Sequence, residues 1–339
     1  MELYGAIDLH STNCHVAMVD AQRNRVFYRK FSNRKEMILD ALFPFGDQIR
    51  GIAVESTYNW YGLVDALMDK GYRVHLVNTT QVIQYSGMKY GDDRHDAFWL
   101  ATLLSLGILP EGYIYPRKER PLRDLFRKRA HLVRVRTALL LSQQNMILRN
   151  RGVKVSAHAL KRLGDDGVEP LLQADQELVL AAEANKIVID SLTSQIDRLE
   201  KAIRARMAPR EGFTKVATLP GVGDILSMAI LLETGPIDRF ERVGHYTSYS
   251  RKVPGVWLSN GKVKGRGNTR NGNRYLAWAF SEAADHARRY HALSRAFYQR
   301  KLSQSNAAVA HHALAHKLAR AAYYIMRDNV VFDENKMFR

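Results

Sequence analysis

The chain has 339 residues, with 51 Lys or Arg against 34 Asp or Glu and a formal net charge of +17. That length suggests two or three domains, and the charge points to nucleic acid or an anionic membrane surface. One cysteine, Cys14, excludes an intramolecular disulfide. An apolar run of about 18 residues, a signal-peptide pattern, a Cys/His zinc spacing and a G-x-x-x-x-G-K-[ST] phosphate loop are all missing, so a soluble cytosolic protein with no membrane partner is expected.

The charge is uneven. Residues 1–105 carry 11 Lys or Arg against 12 Asp or Glu, so the whole excess lies beyond them. Leu3 to His10, Cys14 to Asp20 and Arg25 to Phe31 are short β-rich runs separated by polar turns, which predicts a three-stranded antiparallel meander. A helix follows over Asn33 to Leu42, a short buried strand over Gly51 to Ser56, and an amphipathic helix over Trp60 to Lys70. A strand over Arg73 to Asn78 and a helix over Asp92 to Leu106 complete the series. Hairpin strands followed by alternating β and α describe a mixed sheet with helices packed on it, an RNase-H-like α/β arrangement.

Acidic residues mark the ends of these elements. Asp8 ends the first apolar strand and Glu55 the fourth. Asp93 and Asp96 are three apart at the start of a helix and so share a face. Two readings fit. Four carboxylates converging on a small volume would repel unless a cation sat among them, and hard oxygen ligands suit Mg²⁺, which also clamps a phosphate oxygen. Alternatively, Asp8 is a turn residue, and Asp92, Asp93 and Asp96 stabilise a helix N-terminus through its dipole.

Arg117 to Arg151 carries 11 Lys or Arg against Glu119 and Asp124, with a leucine-rich apolar face. It predicts a long basic helix ending at Gly152, in which Arg123, Arg127, Lys128, Arg129 and Arg134 face a nucleic-acid backbone. A solvated helix face is the other reading. From Gln173 to Met207, Leu178, Ala182, Asn185, Ile189, Leu192, Ile196, Leu199 and Ile203 alternate at spacings of four and three, the pattern of a coiled coil. Its partner is either the preceding basic helix or a second subunit.

Leu219-Pro220-Gly221-Val222-Gly223 resembles the turn of a helix-hairpin-helix, where backbone N–H groups face a phosphate. A helix then runs to Glu233. Between Arg242 and Ser281 stand eight Lys or Arg and no acid. Arg251, Lys252, Lys262, Lys264, Arg266, Arg270 and Arg274, interleaved with Gly265, Gly267 and Gly272, read as a polyanion site. Ser259, in Leu258-Ser259-Asn260-Gly261, is either an ordinary turn residue or a hydroxyl that attacks phosphate with nearby cations stabilising the developing charge. Helices follow over Arg274 to Arg289 and Ala307 to Arg327, with His311, His312 and His316 at exposed positions of the second.

Taken in this order, these motifs resemble the DEDD-type insertion-sequence transposases related to the Piv DNA invertases. The resemblance runs through AIDLH (Asp8), AVEST (Glu55), GDDRHDA (Asp93 and Asp96), LPGVGDILSMAILLETGPIDRF and YSRKVPGVWLSNGKVKGRGNTRNGNRYL, and it covers nearly the whole chain. Members often carry a serine pair before the glycine; here Ser259 carries the match, with Ser248 and Ser250 nearby. The resemblance implies a RuvC-like metal-binding catalytic domain over 1–110. A basic helix and coiled coil for nucleic-acid contact and oligomerisation would occupy 111–210, and a mostly α transposase domain with the serine and the basic loop 211–339. It also implies a Mg²⁺-dependent DNA recombinase that forms a covalent phosphoserine–DNA intermediate through Ser259. Partners would be element-end and target DNA, a structured guide RNA and further copies of the chain. The competing expectation is a RuvC-like metal nuclease that uses water, with Ser259 lining the groove.

Overall fold

The computed structural model describes all residues except 83–91, 165–166, 168, 173–174, 267–270 and 339. The chain divides into two compact units, Met1–Arg117 and Lys118–Arg339.

The first unit is built on one five-stranded sheet in the order β3-β2-β1-β4-β5. Its strands are β1 (Leu3–Leu9), β2 (Asn13–Asp20), β3 (Arg25–Ser32), β4 (Ile49–Glu55) and β5 (Val74–Val77). β1–β2 and β2–β3 are antiparallel, whereas β1–β4 and β4–β5 are parallel. A hairpin meander continued by parallel crossovers fits the RNase-H-like arrangement. The helices are α1 (Lys35–Leu42), α2 (Trp60–Asp69) and α3 (Asp93–Ser105).

Strand alternation sorts side chains onto two faces. One face presents Leu3, Ile7, Leu9, Val16, Met18, Ile52 and Val54, and packs with α1 and α2 around Ile38, Leu42, Val64 and Leu67. The other presents Ala6, Ala17 and Ala53, small residues against which Ala97, Phe98, Leu100, Ala101 and Leu104 of α3 are buried. Alanines at the centre of three neighbouring strands let the helix approach closely. Asp8, His15 and Glu55 lie two residues beyond Ala6, before Ala17 and beyond Ala53, so they extend this same face at one end of the sheet.

The second unit is mostly helical. Two 32-residue helices, α4 (Arg120–Arg151) and α7 (Gln176–Met207), pack along each other, with α5 (Ala157–Arg162) and α6 (Glu169–Leu172) between them in sequence. In α7 the buried stripe is Ala182, Ile189, Ile196 and Ile203, seven residues apart, while the alternate positions Leu178, Asn185, Leu192 and Leu199 are half-buried. Across the stripe lie Leu140 and Ile147 of α4. The basic helix is therefore the partner of the heptad helix within one chain. Arg129 Nε donates to Glu200 Oε1 at 2.8 Å and Arg136 to Thr193 Oγ1 at 3.1 Å across the pair.

The remainder is α8 (Glu211–Val216), α9 (Asp224–Thr234), α10 (Val243–Tyr249), a hairpin of β6 (Val256–Ser259) and β7 (Lys262–Arg266), α11 (Arg274–Tyr290), α12 (Ala292–Leu302), α13 (Ala307–Asp328) and α14 (Glu334–Phe338). α9, α11 and α13 share a core that includes Met228, Ile230, Phe280, Ala283, Leu314 and Leu318. Gly267 and Arg270, the heptad start at Gln173 and Gly91 before the acidic helix lie outside the described residues. Among the described residues no helix is long and apolar enough to cross a membrane.

Candidate functional site

The acidic residues of the first unit gather at one end of the sheet. Asp8 stands directly opposite His15 across β1 and β2, and Glu55 ends β4, one position past the Ile7–Val54 pair. α3 brings its N-terminus to the same place. There Asp92 is the N-cap: its Oδ1 accepts from the His95 N–H at 2.6 Å. This separates the three neighbouring acids by role, because Asp92 is spent on the helix while Asp93 and Asp96 face the cluster.

The carboxyl groups influence one another electrostatically. Burial holds the Asp8 carboxyl above the usual carboxylate range, and the charges of Asp93 and Asp96 add to the effect. Burial, helped by the neighbouring Asp8, pushes Glu55 up to about 8. Asp96 is likewise raised by burial and by Asp93 and Glu55. All three are shifted upward for the same reason: partly or fully buried carboxylates side by side lack enough countercharge. Asp96 Oδ1 is buried with no hydrogen-bond partner. A group of raised carboxyls with an orphaned oxygen fits a divalent cation, whose charge would remove the repulsion and the desolvation penalty together.

Two histidines missing from the sequence expectation belong to the cluster. His10 Nε2 lies 3.2 Å from Asp8 Oδ2 and 3.4 Å from Asp93 Oδ1. His15, 5% exposed, has Nε2 3.2 Å from Asp93 Oδ2. The signal for His10 was its i, i+2 relation to Asp8, which puts both on one face of the chain. His15 needed the β1–β2 register, which only the folded hairpin specifies.

In the second unit, Ser259 is exposed at the end of β6 and pairs with Lys262. Asn260 (φ +49°) and Gly261 (φ +70°) make the two-residue left-handed turn between them, the Asn-Gly chemistry of a tight hairpin. Ser248 is exposed, whereas Ser250 is fully buried. Lys262 and Lys264 are exposed beside Ser259, and Lys128, Arg134 and Arg274 are exposed elsewhere on the unit.

Other basic candidates serve inside the fold. Arg127 donates twice to the buried Glu233 at 2.7 Å, and Arg123 is 3.5 Å from the same carboxylate. Arg251 donates twice to the Gly272 carbonyl, at 3.1 and 2.9 Å. Lys252 is 4% exposed, and its Nζ donates to Ser281 Oγ at 2.7 Å. Gly221 packs on the backbone of α11, while Gly223 is the N-cap of α9 and lines a groove with Arg204, Asp224 and His286. The side chain of Arg266 is not among those described, and Arg270 lies outside the described residues.

The tail histidines depart from expectation. They are half-buried, not exposed: His311 Nε2 is 3.1 Å from the Ser281 carbonyl and His316 Nδ1 is 2.9 Å from the Lys252 carbonyl. A helix wheel shows a polar stripe but not that a neighbouring element covers it.

With this geometry in place, comparison with known proteins gives a coarse reading. Residues 6–149 match the DEDD-type IS110 transposase family, described as a transposase, and residues 214–299 match the transposase IS116/IS110/IS902 family. The comparisons support a DEDD-type insertion-sequence transposase. The chain is 24% identical over 234 residues to a "Probable family 20 transposase" of Pseudomonas aeruginosa, covering 66% of this chain and 67% of that protein. It is 23% identical over 224 residues to the "Transposase for insertion sequence element IS1111A" of Coxiella burnetii, covering 64% of this chain and 59% of that protein. The match over residues 6–149 spans Asp8, Glu55, Asp93 and Asp96, the candidate donor set.

Proposed function

We propose that the chain excises and inserts insertion-sequence DNA by serine-dependent strand exchange. The convergence of Asp8, Glu55, Asp93 and Asp96 on one end of the sheet carries this reading. These carboxylates would hold Mg²⁺, which when bound supplies positive charge to a phosphate oxygen and makes the phosphorus more electrophilic. Ser259 Oγ attacks the scissile phosphorus, forming a phosphoserine ester while the departing strand leaves with a hydroxyl. Attack by that strand or another on the ester restores a phosphodiester and frees the serine. The linkage energy is kept, so no ATP is required. Exposure of Ser259 on a tight hairpin and the flanking Lys262 and Lys264 support its assignment over the fully buried Ser250.

Lys128, Arg134, Lys262, Lys264 and Arg274 would contact the DNA or RNA backbone, with Arg266 and Arg270 in the same stretch of sequence. Arg123, Arg127, Arg129, Arg251, Lys252, Gly221 and Gly223 would support that surface. A structured RNA encoded by the element is the proposed guide, since the basic helix suits a duplex backbone. Exposed Leu180 and Ile187, seven residues apart on α7, favour a homo-oligomer through this coiled-coil segment. A cytosolic location follows from DNA as substrate.

The test is a denaturing gel of full-length protein with Mg²⁺, element-end DNA and the RNA transcribed from the element's flank. A protein–DNA adduct lost in Ser259→Ala and kept in Ser248→Ala is expected. Cleavage without adduct, equal in wild type and Ser259→Ala, would establish instead the nuclease reading in which water attacks.

A further inference from the structure

The acid cluster is bordered by nitrogen donors that an all-carboxylate Mg²⁺ site does not need. His10, His15 and Asp93 each offer one ligand atom, a ring nitrogen or a carboxylate oxygen, and these three atoms lie within 4.8 Å of one another. His10 Nε2 is 3.4 Å from Asp93 Oδ1 and His15 Nε2 is 3.2 Å from Asp93 Oδ2, each near the spacing of about 3 Å expected between neighbouring ligands of an ion bound at about 2.1 Å.

The histidines are held for this geometry. His15 is 5% exposed, and its Nδ1 is hydrogen-bonded to Tyr28 Oη at 2.7 Å. Its Nε2 is buried and makes no hydrogen bond, although an Asp93 oxygen lies 3.2 Å away. A buried imidazole with one nitrogen anchored and the other beside a carboxylate without a hydrogen bond is the arrangement of a metal ligand with its outer partner. When Nε2 offers its lone pair, Nδ1 carries the proton and donates to Tyr28 Oη. Arg94, 4.9 Å above the Tyr28 ring, braces that phenol. The His10 backbone is fixed as well: its carbonyl accepts from Asn33 Nδ2 at 2.7 Å and from Asn59 Nδ2 at 3.0 Å.

Imidazole favours borderline transition ions over Mg²⁺, which demands oxygen. We propose that His10, His15 and Asp93 form a binding site for a borderline divalent ion of the Zn²⁺ class beside the oxygen-lined acid cluster. The proposal rests on the acid cluster being a cation site, because Asp93 serves both donor sets.

Calorimetric titration of the full-length protein with Zn²⁺ and with Mg²⁺ tests it. Zn²⁺ is expected to bind more tightly than Mg²⁺. His10→Gln and His15→Gln should each weaken Zn²⁺ at least about 10-fold and leave Mg²⁺ within about 2-fold, and Tyr28→Phe should weaken Zn²⁺ by about 10-fold. Zn²⁺ affinity unchanged in both histidine variants, with both ions lost in Asp8→Asn, overturns the nitrogen site and leaves the acid-cluster reading standing. No divalent binding to wild type overturns both. Because His15 is buried and its variant risks misfolding, X-ray absorption of the Zn²⁺-loaded wild type is the second measurement. Imidazole scattering is expected, and an all-oxygen shell overturns the proposal.

Discussion

Arg127 grips the buried carboxylate of Glu233 with two parallel hydrogen bonds of 2.7 Å, Nε to Oε1 and the terminal nitrogen to Oε2. Asn273 Nδ2 donates to Oε2 from the other side, also at 2.7 Å, while Asn273 Oδ1 caps the N-terminus of α11 by accepting from Tyr275 and Leu276. One carboxylate thus ties α4, α9 and α11 together.

Removing that carboxylate takes a buried countercharge from the half-buried Arg127 guanidinium and an acceptor from the buried Asn273 amide. Glu233→Ala should cost about 3–5 kcal/mol of stability, measured by urea denaturation. Lys128→Ala, one residue along on the exposed side of α4, should change stability by less than about 0.5 kcal/mol. It should instead weaken nucleic-acid binding and lower the salt-dependence slope by about 1. Equal stability losses in the two variants would contradict this division of roles within the basic helix.

Gly221 and Gly261 both have left-handed backbones, at φ +76° and +70°, yet they should respond differently to alanine. A Cβ on Gly221 would lie 2.2 Å from the Ala283 carbonyl oxygen and 2.7 Å from the Ala287 nitrogen, both backbone atoms of α11. Nothing lies within 4 Å of the same atom on Gly261. Gly261→Ala should therefore cost about 1 kcal/mol from conformation alone, and Gly221→Ala several times more. Thermal melting of the two variants makes the comparison directly.

The acid cluster should make metal-free stability fall as pH rises. Burial raises Glu55 from the ordinary 4.5 to about 8, with Asp8 beside it raised in the same direction. A carboxyl with a raised folded pKa binds more protons folded than unfolded, so its contribution is full below about 4.5 and is lost by about 8. Melting temperature without divalent ion should decline across that window. Added Mg²⁺ should reverse the decline by binding the folded form, and Asp8→Asn should flatten the decline and abolish the Mg²⁺ response.

Lys252 gives the opposite slope. Burial lowers its ammonium from 10.5 to about 8. The folded state then binds fewer protons than the unfolded one between those values, so stability from this group rises as pH climbs from about 8 to about 10.5. Lys252→Met should remove that rise in a pH series of denaturant melts.

The sequence by itself determined the elements and the chemistry at their ends. Alternation and period placed every strand of the first sheet and α3, α4, α7, α9, α11 and α13 to within a few residues, because each buries one face and repeats accordingly. The hairpin of β6 and β7 was legible only as a turn at Asn260-Gly261, since its strands are only four and five residues long. Tertiary structure alone decided which charges meet. Asp92 caps a helix while Asp93 turns to the cluster, His15 faces Asp8 through a strand register, and Arg127 is drawn inward by Glu233 while Lys128 stays in water. Local patterns record whether a residue prefers burial; they carry no record of the distant partner, some 106 residues away for Arg127, that makes burying a charge tolerable.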